Sequence, residues 1–234
     1  MAITFADVAA TPGNVSTGGT LAMNTSANLK DLIVVFATTG GIGSSGPYTC
    51  GFTDSVNTGS YSNIDAARVY LAGNTQGNLL FIPCNATGTP TLTFTTNSGT
   101  GWVFVASRYT GFLNAATLIT ADVSTAQGTS SAFNTGSFNC TQNAELVIGI
   151  ADNTSAITGG NVSSWNDRGG SGSFDTLYDR IGLASGTSVS LSGTGSASQW
   201  IGIVQGFYDA AGAPPPFTPF TQTQFFVTET IIQQ

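Results

Sequence analysis

The chain has 234 residues, 7% of them charged and 41% hydrophobic, with 30 glycines, no histidine and a net charge of −7. That charge content is far below the roughly 25% usual in soluble domains, while the apolar content is too high for a disordered chain. A single lysine (Lys30) and four arginines (Arg68, Arg108, Arg168 and Arg180) make no basic footprint for phosphates or anionic headgroups, so neither nucleic acid nor membrane is an expected partner.

Periodicity is β throughout. Residues 3–8 alternate with period two, as a half-buried strand does. Turn residues at 11–14 and 18–19 separate them from a short strand at 20–23. Residues 31–37 form a continuous apolar run, the pattern of a strand covered on both faces. Further strands are expected at 48–54, 67–72, 79–82, 91–95 and 101–109, then at 137–140, 144–151, 174–181, 187–191 and 199–208. Residues 115–137, rich in Ala, Ser and Thr, read as a long crossover. The nearest approach to an amphipathic helix is 64–70, and it is short. No internal repeat of fixed period is visible. Short strands with turn signals between them predict an all-β fold, a jelly-roll-like antiparallel β-sandwich over residues 1–209. An extended C-terminal arm, 210–234, follows it.

Chemistry is sparse. Without histidine a Ser-His-Asp triad is impossible, and a zinc site would need cysteine or carboxylate ligands alone. The two glutamates, Glu145 and Glu229, make a poor glycosidase pair because the second lies in the arm. Asp7, Asp54, Asp152, Asp167 and Asp209 fall at strand ends or turns, where bonding to the backbone accounts for them. The expectation is a protein that is not an enzyme, with no catalytic residue, cofactor or metal. Cys50, Cys84 and Cys140 lack metal or redox spacing and read as three buried thiols, or as one disulfide and one free thiol. Asp175, Asp179 and Arg180 around Tyr178 read as a surface ion pair, with calcium ligation as the alternative. Trp102 and Trp200 sit in apolar strands and belong to the core. In the loop at 164–170, Trp165, Asn166, Asp167 and Arg168 could stack on a sugar and bond its hydroxyls. Alternatively, Trp165 folds over the sandwich edge beside an Asp–Arg turn.

The arm carries the strongest signal. Pro214, Pro215, Pro216 and Pro219 bias it to extended geometry, limiting the entropy lost on docking. Phe217, Phe220, Phe225, Phe226, Val227, Ile231 and Ile232 could each contribute about 1.5–3 kcal/mol when enclosed by a partner. The opening residues 1–7 lack the basic and long apolar regions of a signal peptide, which predicts synthesis in the cytoplasm without a leader.

Three features together carry a resemblance. Ile3-Thr4-Phe5 is followed by Ala10-Thr11-Pro12-Gly13. The strand opened by Trp102 ends in Arg108-Tyr109-Thr110-Gly111-Phe112. Glu145-Leu146-Val147-Ile148-Gly149 then leads to Trp200-Ile201-Gly202-Ile203-Val204. Over residues 2–209 the chain resembles the concanavalin-like or jelly-roll β-sandwich modules of phage virion proteins and bacterial surface proteins. The resemblance implies a fold and transfers no site residues. The expected function is a non-enzymatic structural protein of a phage or virus particle: a capsid decoration or cement protein, a head fibre, or a tail or neck accessory. Made in the host cytoplasm and located in the virion, it would assemble through its arm with copies of itself, as a trimer, and with other virion proteins. The alternatives are an extracellular filament or adhesin subunit joined by strand addition, and a carbohydrate-binding module with surface glycans as partners.

Overall fold

Every side chain of β3 (Leu32–Gly40) from Leu32 to Thr39 is buried, whereas β7 (Thr91–Thr96) buries alternate residues. A strand is apolar throughout when both faces of its sheet are covered and alternates when one face meets water. β3 is accordingly the middle strand of a five-stranded sheet, and β7 the middle strand of a three-stranded outer one. The computed structural model describes residues 2–11, 15–40, 47–57, 62–71, 75–97, 101–153, 158–171, 175–195 and 199–209, with backbone alone at 62–71, 153 and 171.

The first half of the chain contributes β1 (Thr4–Ala10), β2 (Thr20–Ala22), β3, β4 (Cys50–Asp54), β5 (Ser62–Leu71), β6 (Thr75–Pro83), β7 and β8 (Trp102–Thr110). Its inner sheet has the order β1-β8-β3-β6-β5 and its outer sheet β2-β7-β4. Strand 1 pairs with 8, 2 with 7 and 3 with 6, all antiparallel. That is a long hairpin rolled around a core, the jelly-roll winding.

The second half repeats it. β9 (Ala116–Gly128), β10 (Ala132–Asn139), β11 (Glu145–Asn153), β12 (Asn166–Ser171), β13 (Asp175–Leu183), β14 (Ser188–Thr194) and β15 (Trp200–Asp209) follow, with a 3₁₀ turn at Val162–Ser164. The inner sheet is β9-β15-β11-β13-β12 and the outer sheet β10-β14. Strand for strand the order matches the first half. The place of β4 is held by one bridge, Thr158 with Thr194.

The two inner sheets face each other across a core that includes Leu32, Val34, Phe36 and Leu79 from one and Leu146, Ile148, Ile150 and Ile203 from the other. Ile33, Val35 and Phe104 point the opposite way, onto Phe52 and Phe94 of the first outer sheet. Val147, Val204 and Trp200 pack likewise with Phe133 and Leu191 of the second. Four layers result. β1 lies over β12 and β5 over β9, while β6 meets β15 and β8 meets β13. Exchanging the halves maps each contact onto another, so the halves are related by an approximate two-fold axis.

Residues 111–115 join the halves. Lys30 Nζ donates to the Leu113 carbonyl from one side, and the Asp209 carboxylate accepts the Leu113 and Asn114 amides from the other.

Several expectations change. Residues 115–137 are not a crossover: β9 spans thirteen residues there and β10 begins before the span ends. β9 is an edge strand with only three buried side chains, and its backbone ladder to β15 needs no apolar side chains. Residues 64–70 lie within strand β5. β12 occupies most of the expected loop at 164–170. The arm residues Pro214, Pro215, Pro216, Phe217, Pro219, Phe220, Phe225, Phe226, Val227, Ile231 and Ile232 lie outside the described residues.

Candidate functional site

The concentrated chemistry lies in two sockets at matching places in the halves. In the first, Asp7 on β1 accepts the Thr25 amide at 2.8 Å and the Thr25 hydroxyl at 3.0 Å, both on Oδ2. Its Oδ1 accepts Asn24 Nδ2 at 3.2 Å. Asp31, just before β3, accepts the Asn28 amide at 2.9 Å. Arg108, opposite Asp7 in the β1–β8 register, donates to Asp31 Oδ2 at 2.5 Å and to Thr25 Oγ1 at 2.6 Å. A guanidinium thus ties two buried carboxylate sites together, which offsets the cost of removing the charges from water.

The second socket repeats the frame and drops the cation. Asp122 Oδ2 on β9 accepts the Thr141 amide at 2.7 Å and the Thr141 hydroxyl at 3.0 Å. Glu145, opening β11, accepts the amide three residues before it, from Gln142, at 3.5 Å. Lys30 and Ala144, one residue before Asp31 and Glu145, are the non-glycine residues with positive φ among the described residues, at 74° and 57°. The partner of the Arg108 position is Gly206, whose absent Cβ would lie 2.1 Å from Glu145 Oε1. The glutamate therefore fills the space that a side chain at Gly206 would need. Asp122 and Glu145 are each 0% exposed. Asp122 Oδ1 and Glu145 Oε1 are buried without a hydrogen-bond donor. Burial, and next the Asp122 carboxylate, push Glu145 up to about 8.

Two further charged groups sit on the seam between the halves. Asp152 Oδ2 accepts the Thr38 hydroxyl at 2.8 Å and the Thr75 hydroxyl at 2.7 Å, both from the first half. Asp175 pairs with Asp152 across β11 and β13 and is pushed well above the usual carboxylate range, by burial first and by Asp152 next. At the other end, Arg168 donates to Asp179 through Nε at 2.6 Å and Nη2 at 3.0 Å. Its guanidinium lies over the Phe5 ring at 4.1 Å from the centroid, a cation–π contact across the halves. Asp179 is fully buried, and its charge, after burial, holds the Tyr109 hydroxyl protonated.

The residues singled out in the sequence fall as follows. Trp165 is 6% exposed, its indole N–H donates to the Ser190 carbonyl at 3.1 Å, and its ring lies 2.8 Å from where a Cβ on Gly149 would be. Of the two readings, the ring is enclosed and not offered as a stacking platform, because Gly149 lets it settle onto the sheet. Asn166 donates to Asp179 at 2.8 Å beside Arg168, and Asp167 closes a turn by accepting the Gly169 amide. The surface ion pair expected around Tyr178 is also corrected. Asp179 pairs with Arg168 in the interior, Asp175 faces Asp152, and Arg180 lies toward the Trp165 ring. Asp7 and Asp152 are likewise more than turn residues. Trp102 and Trp200 are core, and the three cysteines are buried thiols outside any disulfide. Burial pushes both Cys84 and Cys140 up to about 12, which leaves little thiolate near neutrality.

The architecture defines an all-β protein of two face-to-face jelly-roll sandwiches with duplicated carboxylate sockets. Compared with known protein families, with curated proteins and with solved structures, the chain matches none. The socket carboxylates are buried, while Asn24, Thr25 and Thr141, which donate to them, reach the surface. Sequence reading missed the sockets. The available signals were Ala6-Asp7-Val8 echoed by Ala121-Asp122-Val123, and an acidic residue opening each apolar run at Asp31 and Glu145.

Proposed function

We propose that the chain is a non-enzymatic structural protein of a phage or virus particle, a decoration, fibre or neck accessory, that joins its neighbours through residues 210–234. One observation carries this reading. The arm contains seven large apolar residues, from Phe217 to Ile232, whereas among the described residues only Leu29 and Leu113 are exposed large hydrophobics. The described surface offers those side chains little apolar cover, so a second chain is the natural source of it. A low-charge surface of hydroxyls and amides also packs against its like without burying many charges.

The test is the solution mass of the full-length protein beside a version ending at Asp209. The full-length protein should form a closed oligomer, a trimer by expectation, and the shortened one a monomer. Equal masses overturn the arm's role, and open fibres from the full-length protein favour the strand-addition filament instead. Binding to surface glycans loses its main support with Trp165 enclosed.

A further inference from the structure

We propose that Asp122 and Glu145 hold a single proton between Glu145 Oε1 and Asp122 Oδ1, and that this proton does in the second half what the Arg108 guanidinium does in the first. The strands tied are β9 and β11, the counterparts of β1 and β3.

The hydrogen bonding leaves a place for that proton. Asp122 Oδ2 is satisfied by Thr141 and Glu145 Oε2 by the Gln142 amide, so the remaining oxygens are the two without donors. An acceptor left unpaired in the interior is costly, and two facing carboxylates cost more. One proton satisfies both oxygens and removes one charge. The other neighbours supply nothing better. From β15, Gly206 has no side chain, and Gln205 Nε2 is spent on the carbonyls of Ile119, Asp122 and Gly206. Cys140, preceding Thr141, presents a thiol held protonated by burial and by both carboxylates, and its hydrogen bond to Glu145, from a weak donor, is outweighed by burial and by Asp122. Arg180 on β13 is felt there through Cys140, whose thiol it pulls down weakly against burial and the carboxylates. Asn24, which donates to Asp7 from the equivalent place before Thr25, has become Cys140. Both side-chain nitrogen donors of the first socket are therefore replaced together.

The pH dependence follows in sign. The folded protein keeps the proton on Glu145 up to about 8, while the unfolded chain releases it near the ordinary value of 4.5. The stabilisation is complete below 4.5 and is lost as pH rises through the interval to about 8, after which the loss levels off.

Only two glutamates occur in the chain, so carboxyl-¹³C glutamate labelling of the full-length protein gives two side-chain carboxyl signals to titrate by NMR. Glu145→Gln assigns the signal; if that variant does not fold, Glu229→Gln assigns it by elimination. The Glu145 signal should titrate with a midpoint near 8, and Asp122→Asn should move that midpoint down. In urea, the unfolding constant of wild type should rise about tenfold per pH unit, relative to Glu145→Gln, across the interval. A Glu145 signal that completes its ionisation below about pH 6, or a midpoint unmoved by Asp122→Asn, overturns the proposal.

Discussion

The two halves share a winding, a pair of acidic positions and an opening tryptophan on the last strand, yet they solve the same electrostatic problem differently. Where the first half has Arg108 between Asp7 and Asp31, the second has Gly206 beside Asp122 and Glu145. Where Phe104 stacks on Phe94 at 3.6 Å in the first, Gly202 makes room for Phe133, which tilts against Trp200 at 4.9 Å. On the seam, Phe81 packs edge-on to Phe207, and the exchanged positions hold Asp179 and Tyr109. Backbone winding thus tolerates either an arginine against the carboxylates or a glycine beside them, and either a ring or a space, at one position. Local satisfaction of each group is required; identity is not.

The largest expected effect tests the socket with the cation. Arg108→Ala strands the buried Asp31 carboxylate and should cost about 3–5 kcal/mol in urea unfolding at neutral pH. The matching change in the second half should differ in sign. Above about pH 8, Asp122→Asn removes a like charge and should raise stability over wild type. Equal losses at both sites would show that the sockets work alike. On the seam, Arg168→Ala removes two charged hydrogen bonds from Asp179, and a loss of about 1.5–3 kcal/mol is expected in the same assay. The smallest effect concerns the turns before β3 and β11. Ala144→Gly relieves a left-handed backbone and should add roughly 0.5–1 kcal/mol. Lys30→Gly should gain less, because it also loses the bond to the Leu113 carbonyl. A thermal melt that ranks them the other way removes the matched-turn comparison.

Layering was legible in the sequence because burial on one face or two leaves different patterns, as in Thr91–Thr96 against residues 31–37. The strand at 116–128 was not, since Leu118, Ile119 and Val123 are spaced without a period of two among Ala, Ser and Thr, and pairing to β15 is made by the backbone. The repeat escaped for a related reason. Asp7 answers to Asp122 but Trp102 to Trp200, so the offset drifts along the chain and no fixed period exists. Charge partners were the least legible. Nothing local to Asp31 points to Arg108, which reaches it through the β3–β8 register. The place of Trp165 stayed open between two readings because its burial depends on a glycine in another strand.

The clamped connection at 111–115 has its own consequence. In a dimer of separate chains, docking depends on concentration, and every substitution appears twice, once on each side of the axis. Here the connection makes docking intramolecular, with an effective concentration that short linkers set in the millimolar range. Weak spots such as Asp152 beside Asp175 can then sit on the seam without dissociating it. A change on one side need not be matched on the other, and a fused pair alone can keep an arginine at 108 and a glycine at 206.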